Sequence, residues 1–235
     1  MKTSEFLNVL NKMTKVKTLY VKGCFGANLK KPQNKLRYTI NNPFNKQKSR
    51  TDKINAITED CFGFDCVCMI KSALWGFDFD TSKTYGGAKY CSNGVPDFGT
   101  ETVHKYLDNF FDCKNSTPSI GDVVYMEGHV GVFVGQYFGD KVPQVIECTP
   151  KWKDGVQFSN YANRGWKKHG KLIFLENDIL FNETNEEERP FYIVKKNDTL
   201  TKISKMFNVS VDKLVEINKI KDKNKIFVGQ KIFLK

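Results

Sequence analysis

A short acidic segment near the C-terminus divides the chain into two parts that fold separately. Residues 176–190 read ENDILFNETNEEERP, so clustered acids and a closing proline interrupt an otherwise basic chain of 235 residues. This composition is typical of a solvated linker, and the chain length suits one full domain with a small second one. We therefore predict a large domain over residues 1–178, a linker over 179–190 and a small domain over 191–235.

The small domain shows the pattern strand, helix, helix, strand. FYIVKK is β-branched and aromatic, and VGQKIFL forms the second strand, with Gly229 available for a turn. Between them, TLTKISKMF and VDKLVEIN each place three apolar residues on one helical face. Asp198 precedes the first of these helices and is its expected N-cap.

The large domain mixes helices and strands. Helical spacing of apolar residues predicts an amphipathic helix within EFLNVLNKM, a second helix over about Val67–Trp75 and a third over about Glu101–Phe111. From Gly121 onward, DVVYMEG, HVGVFVG, QVIEC and KLIFL are short β-rich runs broken by glycine and proline. Helices followed by strands predict an α+β domain with an antiparallel sheet.

The excess of positive charge limits the classes of partner. The net charge is +11, and the segment after Pro190 alone, with 11 lysines and 4 acidic residues, carries +7. A basic protein favours polyanions such as nucleic acid, anionic lipid or the polymers of a bacterial wall. No nucleic-acid-binding motif accompanies the charge, and lysines seldom give the bidentate base contacts that arginine provides. We therefore expect no nucleic-acid partner.

The N-terminus and the cysteine content indicate the cellular compartment in which the chain is made. MKTSEFLNVLNKMTKVK lacks the unbroken apolar core of a signal peptide, and no run of 18 apolar residues occurs in the chain. Seven cysteines are an odd number and fit a reduced compartment better than a disulfide framework. We expect synthesis in the cytoplasm without an export signal, and no membrane insertion.

Three of the cysteines lie within eight residues, in the stretch TEDCFGFDCVCMIKSALWGF. Their spacings of five and two, with no downstream partner pair, disfavour a zinc site, and we predict neither metal nor cofactor. Buried thiols are most often core residues, as we expect for Cys68. Cys66 differs because it begins a helix directly after Asp65, a plausible N-cap.

A thiol in the first turn of a helix lies at the positive end of the helix dipole, beside unpaired N–H groups. We therefore expect the pKa of Cys66 to be lowered and the same N–H groups to hold an oxyanion. Cys61 is followed by turn-like residues and lacks a following apolar helix. The residues thus favour Cys66 as a nucleophile.

A thiolate nucleophile needs a base, and the chain contains three histidines. His104 lies in a predicted helix and His169 in a basic loop, so both are expected at the surface. His129 opens the strand HVGVFVG, whose glycines allow another backbone or a substrate to come close. On the next strand Glu147 is the candidate that orients the imidazole, although an outward-facing position fits it almost as well.

At these residues the chain resembles the NlpC-type cysteine peptidases, a papain-like family that cleaves bacterial peptidoglycan. DCVCMI is similar to the family's D-C-S-G-L-V helix start, and GHVGVFVG is similar to its G-H-V-G-I-Y-I-G strand. The resemblance covers roughly residues 1–175 and implies a papain-like core, in which a cysteine-bearing helix packs on a small antiparallel sheet. It implies Cys66 as the nucleophile, His129 as the base and Glu147 as the orienting residue.

The sequence departs from that family at two points. Val67 and Cys68 replace the usual Ser-Gly, whereas the earlier DCFG has its glycine at the matching offset, so Cys61 is the rival nucleophile. Cys66 is preferred because the apolar helix follows it. The third position is often His, Asn or Gln in the family and is Glu147 here.

Three longer phrases resemble phage and prophage lysins of the same type: TLYVKGCFG, TYGGAKYCSNGVPDFG and ECTPKWKDGVQ. The resemblance implies that they form a substrate cleft, with Asp65 and Trp152 among the substrate-binding residues. Tyr38 is a candidate for an oxyanion partner from the early segment.

The small domain resembles a LysM module over nearly its whole length. YIVKKNDTLTKISKMFNVSVDKLVEINKI followed by IFVGQKIFL has the family's order of apolar positions, with Asn in place of the usual Gly before Asp-Thr-Leu. Asparagine also tolerates turn geometry. The resemblance implies binding of N-acetylglucosamine-containing glycans in a groove between two loops, which carry Asp198, Thr199 and Leu200 on one side and Asn218 and Ile220 on the other.

Together the resemblances imply a peptidoglycan hydrolase of the phage endolysin type, which cleaves an amide of the stem peptide and is anchored by LysM. An endopeptidase is the preferred interpretation. An N-acetylmuramoyl-L-alanine amidase and a non-catalytic wall-binding adhesin stay open as alternatives. The expected partner is bacterial peptidoglycan, through its stem peptide and its N-acetylglucosamine glycan. The chain would remain in the cytoplasm until the membrane is opened.

Overall fold

The computed structural model describes residues 1–179, 191–195, 197–218, 220 and 222–234. The chain divides into two compact units, Met1–Ile179 and Leu180–Lys235. This division falls at the start of the segment that the sequence predicts as a linker. The rest of that segment, 180–190, lies outside the described residues.

The first unit contains short helices in its N-terminal half and most of its strands in the C-terminal half. The helices are α1 (Thr3–Met13), α2 (Pro32–Asn41), α3 (Lys48–Asn55) and α4 (Cys66–Leu74). The strands are β1 (Thr18–Tyr20), β2 (Phe25–Asn28), β3 (Phe62–Phe64), β4 (Phe111–Asp112), β5 (Val123–Met126), β6 (His129–Gly135), β7 (Gln144–Thr149), β8 (Gly155–Asn160) and β9 (Lys168–Gly170).

The strands form two sheets. The larger has six strands in the order β4-β9-β5-β6-β7-β8 and is antiparallel throughout. The smaller has the order β1-β3-β2, in which β1 runs parallel to β3. The mixed α+β class predicted from the sequence is confirmed, as are α1 and the strands at β5, β6 and β7.

Helix α4 lies at the centre of this unit. All nine of its residues are buried, and it packs against α1, β2, β6 and β7. Among the side chains around it, Trp75, Phe6 and Phe64 are almost completely excluded from water, and each contributes about 1.5–3 kcal/mol to folding. Because α4 is buried on every side, its N-terminus has a fixed position against β6.

Residues 101–111 do not form the predicted helix. A single 3-10 turn, Val103–Tyr106, is present there, and Leu107 then makes a β-bridge with Leu172. Farther on, β4 pairs with β9. The prediction was wrong because this segment makes backbone hydrogen bonds to residues 168–172. These replace the hydrogen bonds within a helix that the spacing of apolar residues predicted.

The predicted strand KLIFL is also wrong in position. The strand is β9, which ends at Gly170, and Leu172 contributes only the isolated bridge. The chain turns at residues 173–174 directly afterwards. The apolar side chains of KLIFL therefore reflect packing rather than strand pairing, since Leu172 and Leu175 lie in the main core.

The second unit has the predicted order strand, helix, helix, strand: β10 (Phe191–Ile193), α5 (Leu200–Phe207), α6 (Val211–Ile217) and β11 (Lys231–Phe233). β10 and β11 pair antiparallel, and a small core of its own holds the unit together. The N-cap of α5 is Thr199, whose side chain accepts a hydrogen bond from the Lys202 N–H. The predicted cap Asp198 instead accepts hydrogen bonds from the Lys195 N–H and the Tyr192 hydroxyl.

Candidate active site

The start of α4 is held in place by Asp65. One carboxylate oxygen accepts the Cys68 N–H at 2.7 Å, as an N-cap does, and the other accepts the Gly23 N–H at 2.7 Å. Asp65 thus ties the first turn of α4 to the loop between β1 and β2. Both oxygens are already engaged, so Asp65 positions Cys66 and has little capacity left for a substrate.

The thiol of Cys66 lies at the first residue of α4 and is only 5% exposed. Burial and the neighbouring Asp65 carboxylate raise the pKa of this thiol to about 12, whereas the N–H groups of Val130, Val67 and Cys66 act to lower it. The expected lowering of the pKa is therefore wrong for the resting chain. The helix-start N–H groups are present, but desolvation outweighs them.

The proximity of the thiol to the Val130 backbone has a second consequence. It places Cys66 beside the start of β6, where His129 is the residue directly before Val130. Helix α4 and β6 also pack against each other along their length. Two residues that are 63 positions apart in the sequence are thus brought to one place in the fold.

The imidazole of His129 is oriented by Glu147. His129 Nε2 lies 2.6 Å from Glu147 Oε2. Because an ionised carboxylate only accepts hydrogen bonds, Nε2 carries the proton in this pair. The other ring nitrogen, Nδ1, is left to take up a proton from a nucleophile or to give one to a leaving group.

Glu147 is completely buried and is held by three side chains. Besides His129, the Arg164 guanidinium donates to both carboxylate oxygens, each at 2.7 Å, and the Ser159 hydroxyl donates to Oε1. Burial alone would raise the pKa of Glu147, but the hydrogen bonds from His129, Arg164 and Ser159 lower it to about 2. Glu147 is therefore a permanent carboxylate, and the outward-facing alternative is excluded.

Two tryptophans contact the side chains that bind Glu147. The Trp166 ring stacks on the His129 ring, with 5.7 Å between centroids and 17° between planes. The Arg164 guanidinium lies over the Trp166 ring at 5.6 Å and over the Trp152 ring at 5.0 Å. Trp152 is 66% exposed, so it presents a free aromatic surface next to the Glu147–Arg164 pair, as a substrate-binding residue requires.

A cleft of about 400 Å³ opens beside the first turn of α4. Asp65, Val67 and Cys68 line it together with Lys71 of the same helix, a buried lysine that is paired with Asp97. Four aromatic residues complete its walls: Phe25, Trp75, Tyr90 and Phe98. Phe25, Tyr90 and Phe98 come from two of the three phrases expected to form a substrate cleft, whereas Trp75 directly follows α4. ECTPKWKDGVQ contributes no lining residue and lies instead around Glu147.

The other candidate residues lie elsewhere. Cys61 is fully buried in a separate cluster beneath α2 and α3, and burial raises its pKa to about 12. Tyr38 packs in the same cluster as Cys24, so it is not brought to Cys66. Tyr20 lies closer to the start of α4. Burial first, and then the neighbouring Cys66 and Asp65, raise the pKa of its hydroxyl. Its hydroxyl therefore stays protonated and can donate a hydrogen bond.

The two remaining histidines differ from each other. His104 is exposed, as expected. His169 is only 2% exposed, so its expected place at the surface is wrong; it lies in β9 and pairs with Asp122. The basic neighbours in KKHGK suggested a solvated loop, whereas the alternation of a strand turns the histidine inward.

The second unit has a groove of about 420 Å³ between its first helix and two later segments. Asp198, Thr199, Leu200 and Thr201 line one side, with Val211 and Asp212 from α6 and Lys223, Asn224 and Ile226 opposite them. Residues 192–235 match the model of the LysM domain. A LysM domain indicates binding of peptidoglycan, a glycan that contains N-acetylglucosamine. No curated protein sequence matches the chain.

Within the LysM domain, the predicted glycan-binding residues fall into two groups. Asp198, Thr199 and Leu200 line the groove. Asn218 does not, because its amide holds the fold together: it donates to the carbonyls of Leu214 and Phe233 and accepts the Phe233 N–H. Ile220 packs against the core of the domain. Sequence reasoning missed the other lining residues of the groove, which are Thr201, Val211, Asp212, Lys223, Asn224 and Ile226.

All seven cysteines are free thiols. Across the described ranges, no three His, Cys, Asp or Glu side chains are arranged to hold a metal ion. In the part of the chain that the structure describes, no helix is long and apolar enough to cross a membrane.

Proposed function

We propose that the first unit is a cysteine peptidase that hydrolyses an amide bond in the stem peptide of bacterial peptidoglycan, with the LysM domain as its wall anchor. One observation carries the proposal: Cys66, the first residue of α4, lies beside Val130 at the start of β6, and the preceding residue, His129, is bound through its imidazole to the buried Glu147 carboxylate. Thiol, imidazole and carboxylate thus follow one another as in cysteine and serine hydrolases.

The raised pKa of Cys66 determines how such a reaction starts. A neutral thiol cannot attack until it loses its proton, so His129 Nδ1 accepts the proton as the sulfur bonds to the amide carbon. Glu147 stabilises the resulting imidazolium, since its carboxylate stays ionised down to about pH 2. The N–H groups at the start of α4 and the Tyr20 hydroxyl are suited to hold the oxyanion.

The remaining steps use the same groups. The imidazolium gives its proton to the amide nitrogen, the C–N bond breaks and the amine leaves, with the acyl group bound to sulfur as a thioester. His129 then takes a proton from water, which attacks the thioester and releases the carboxylate product and the thiol. The net reaction consumes one water and yields one acid and one amine.

In this proposal the LysM domain keeps the first unit close to its substrate. Binding to the glycan raises the concentration of stem peptide near the first unit without changing the chemistry. The lysine-rich composition of this domain adds attraction to anionic wall polymers. Substitution Lys223→Ala, in the groove, is expected to reduce cosedimentation with isolated walls severalfold. The exposed Lys205→Ala removes the same charge outside the groove and is the matched control.

The test of hydrolysis is mass spectrometry of purified peptidoglycan digested with the full chain. We expect paired new amino and carboxyl ends within the stem peptide, and no products from Cys66→Ala. Cys61→Ala is the matched control and should give the wild-type products. Turnover that survives in Cys66→Ala and is lost in Cys61→Ala would overturn the nucleophile assignment.

Two other outcomes identify the alternatives. Release of intact stem peptides with a free L-alanine amine would identify a muramoyl amidase. If neither the wild type nor any variant yields products while all bind walls equally, the protein is an adhesin and the peptidase proposal fails.

A further inference from the structure

Helix α2 is held to the first unit on one side and leaves its other side open to water. Tyr38 of α2 is buried, and the buried Asn34 amide donates to the Asn28 carbonyl at 2.8 Å. The Lys35 ammonium group donates to the carbonyl of Asn55, the last residue of α3, at 2.9 Å. Because these contacts fix α2 in place, its outward side presents the same residues to solvent at all times.

The outward side of α2 carries two exposed aliphatic side chains. Leu36 is 59% exposed and Ile40 is 51% exposed. Residues four apart in a helix are neighbours on one side of it, so these two form one apolar strip. Arg37, which follows Leu36, and Lys46, in the loop after α2, are exposed as well. We name these four residues the α2 face.

Positive charge is concentrated in the segment that forms this face. Residues 29–56, which include α2 and α3, contain eight lysines and arginines and one acidic residue, and so carry +7. Because the chain carries +11 and the segment after Pro190 carries +7, residues 1–190 together carry +4, and those outside 29–56 carry −3. Within the described part of the chain, no carboxylate pairs with Arg37 or Lys46. Both cations are therefore available to a partner.

The combination of free cations and exposed aliphatic groups selects the class of partner. A soluble polyanion pairs with the cations but gives the aliphatic side chains no apolar contact. Single-stranded nucleic acid stacks its bases on aromatic side chains, and the α2 face contains none. The surface of an anionic lipid bilayer matches both features, because its phosphates attract cations and the boundary of its acyl chains accepts leucine and isoleucine.

We propose that the α2 face binds the surface of an anionic lipid bilayer. Leu36 and Ile40 enter the boundary between headgroups and acyl chains, and Arg37 and Lys46 pair with lipid phosphates. The contact is peripheral and requires no helix that crosses the membrane. It does not rest on the proposed hydrolysis, because the α2 face shares no residue with the cleft beside α4 or with the groove of the LysM domain.

The test is cosedimentation of the full chain with vesicles made of phosphatidylglycerol and phosphatidylcholine in equal parts. We expect binding that is about tenfold tighter than to vesicles of phosphatidylcholine alone, because each cation near an anionic surface adds to the affinity. The double variant Leu36→Ser/Ile40→Ser removes the apolar strip without changing the charge and should weaken binding about tenfold. Val142→Ser/Ile173→Ser makes a similar change at exposed aliphatic positions elsewhere on the first unit and is the matched control.

A second pair of variants tests the cations. Arg37→Gln/Lys46→Gln should weaken binding about tenfold, whereas Lys105→Gln/Lys114→Gln, which removes two exposed charges elsewhere on the first unit, should change it less than about twofold. The cations of the LysM domain are the same in every variant, so their attraction to the vesicles cancels in these comparisons. A wild type that binds neither kind of vesicle, or α2-face variants that bind like their controls, would overturn the proposal. So would weaker binding of the charge variant with full binding of Leu36→Ser/Ile40→Ser, which would make the α2 face a site for a soluble polyanion.

Discussion

The first unit holds two histidine–carboxylate pairs of similar length, His129–Glu147 at 2.6 Å and His169–Asp122 at 2.8 Å. They differ in which ring nitrogen faces the carboxylate. In the first pair Nε2 is bound and Nδ1 is left for the proton transfer proposed for Cys66; in the second Nδ1 is bound and Nε2 is buried, with no partner among the residues that the structure describes. An imidazole–carboxylate pair therefore does not define a function by itself.

The carboxylates are also held differently. Glu147 receives two bonds from Arg164 and one from Ser159 besides its histidine. Among the residues that the structure describes, Asp122 receives only a backbone N–H besides His169. A charged clamp keeps Glu147 ionised and fixed, as the proposed proton transfer through His129 requires.

The largest effect is expected at the first imidazole. His129→Ala removes the group that accepts the thiol proton, and because the Cys66 thiol is neutral at rest, kcat/KM for soluble stem-peptide fragments should fall about 10³-fold. His104→Ala, at the exposed histidine, is the matched control and should keep full activity. Equal activity of the two variants would show that His129 is not the base.

The next effect concerns acid stability. A carboxyl pKa lowered to about 2 in the folded state contributes stability above its unfolded value of about 4.5, and this contribution is lost as pH falls towards 2. The loss amounts to roughly 3 kcal/mol for Glu147. Denaturant unfolding at pH 6 and pH 3 should show a smaller difference in Glu147→Gln than in the wild type. An unchanged difference would mean that the Arg164 clamp does not act on this carboxylate.

A smaller effect is expected for the clamp itself. Arg164→Gln leaves all reacting groups present but frees Glu147, so kcat should fall about tenfold while KM changes little. The acid limb of the pH–rate profile should move to higher pH, because the pKa of Glu147 rises when the guanidinium is lost. The exposed Arg37→Gln is the control. A loss of activity with an unmoved acid limb would indicate a merely structural role.

The sequence predicted the features whose signals are local. Asp65 ahead of an apolar run predicted the start of α4 to within one residue. Short β-rich runs predicted β5 to β7, and the helical spacing of apolar residues predicted the two helices of the LysM domain. It also pointed to Cys66, His129 and Glu147, which the fold brings into one region. Their proposed roles in catalysis stay predictions.

The failures concern interactions between distant segments. Nothing near residues 101–111 shows that Leu107 will bridge to Leu172 instead of continuing a helix. Arg164 and Ser159 could not be assigned to Glu147, because contacts across strands depend on register. The pKa of Cys66 was predicted with the wrong sign because the helix dipole is visible in the sequence and the depth of burial is not.

The most direct test of the central claim is to find the acyl group during turnover. Soluble stem-peptide substrate is mixed with the full chain, quenched in acid after milliseconds to seconds, and the digest is mapped by mass spectrometry. The account predicts a thioester on the peptide that contains Cys66, absent after hydroxylamine treatment and absent from Cys66→Ala. An adduct on Cys61 or Cys68, with Cys66 unmodified, would contradict it.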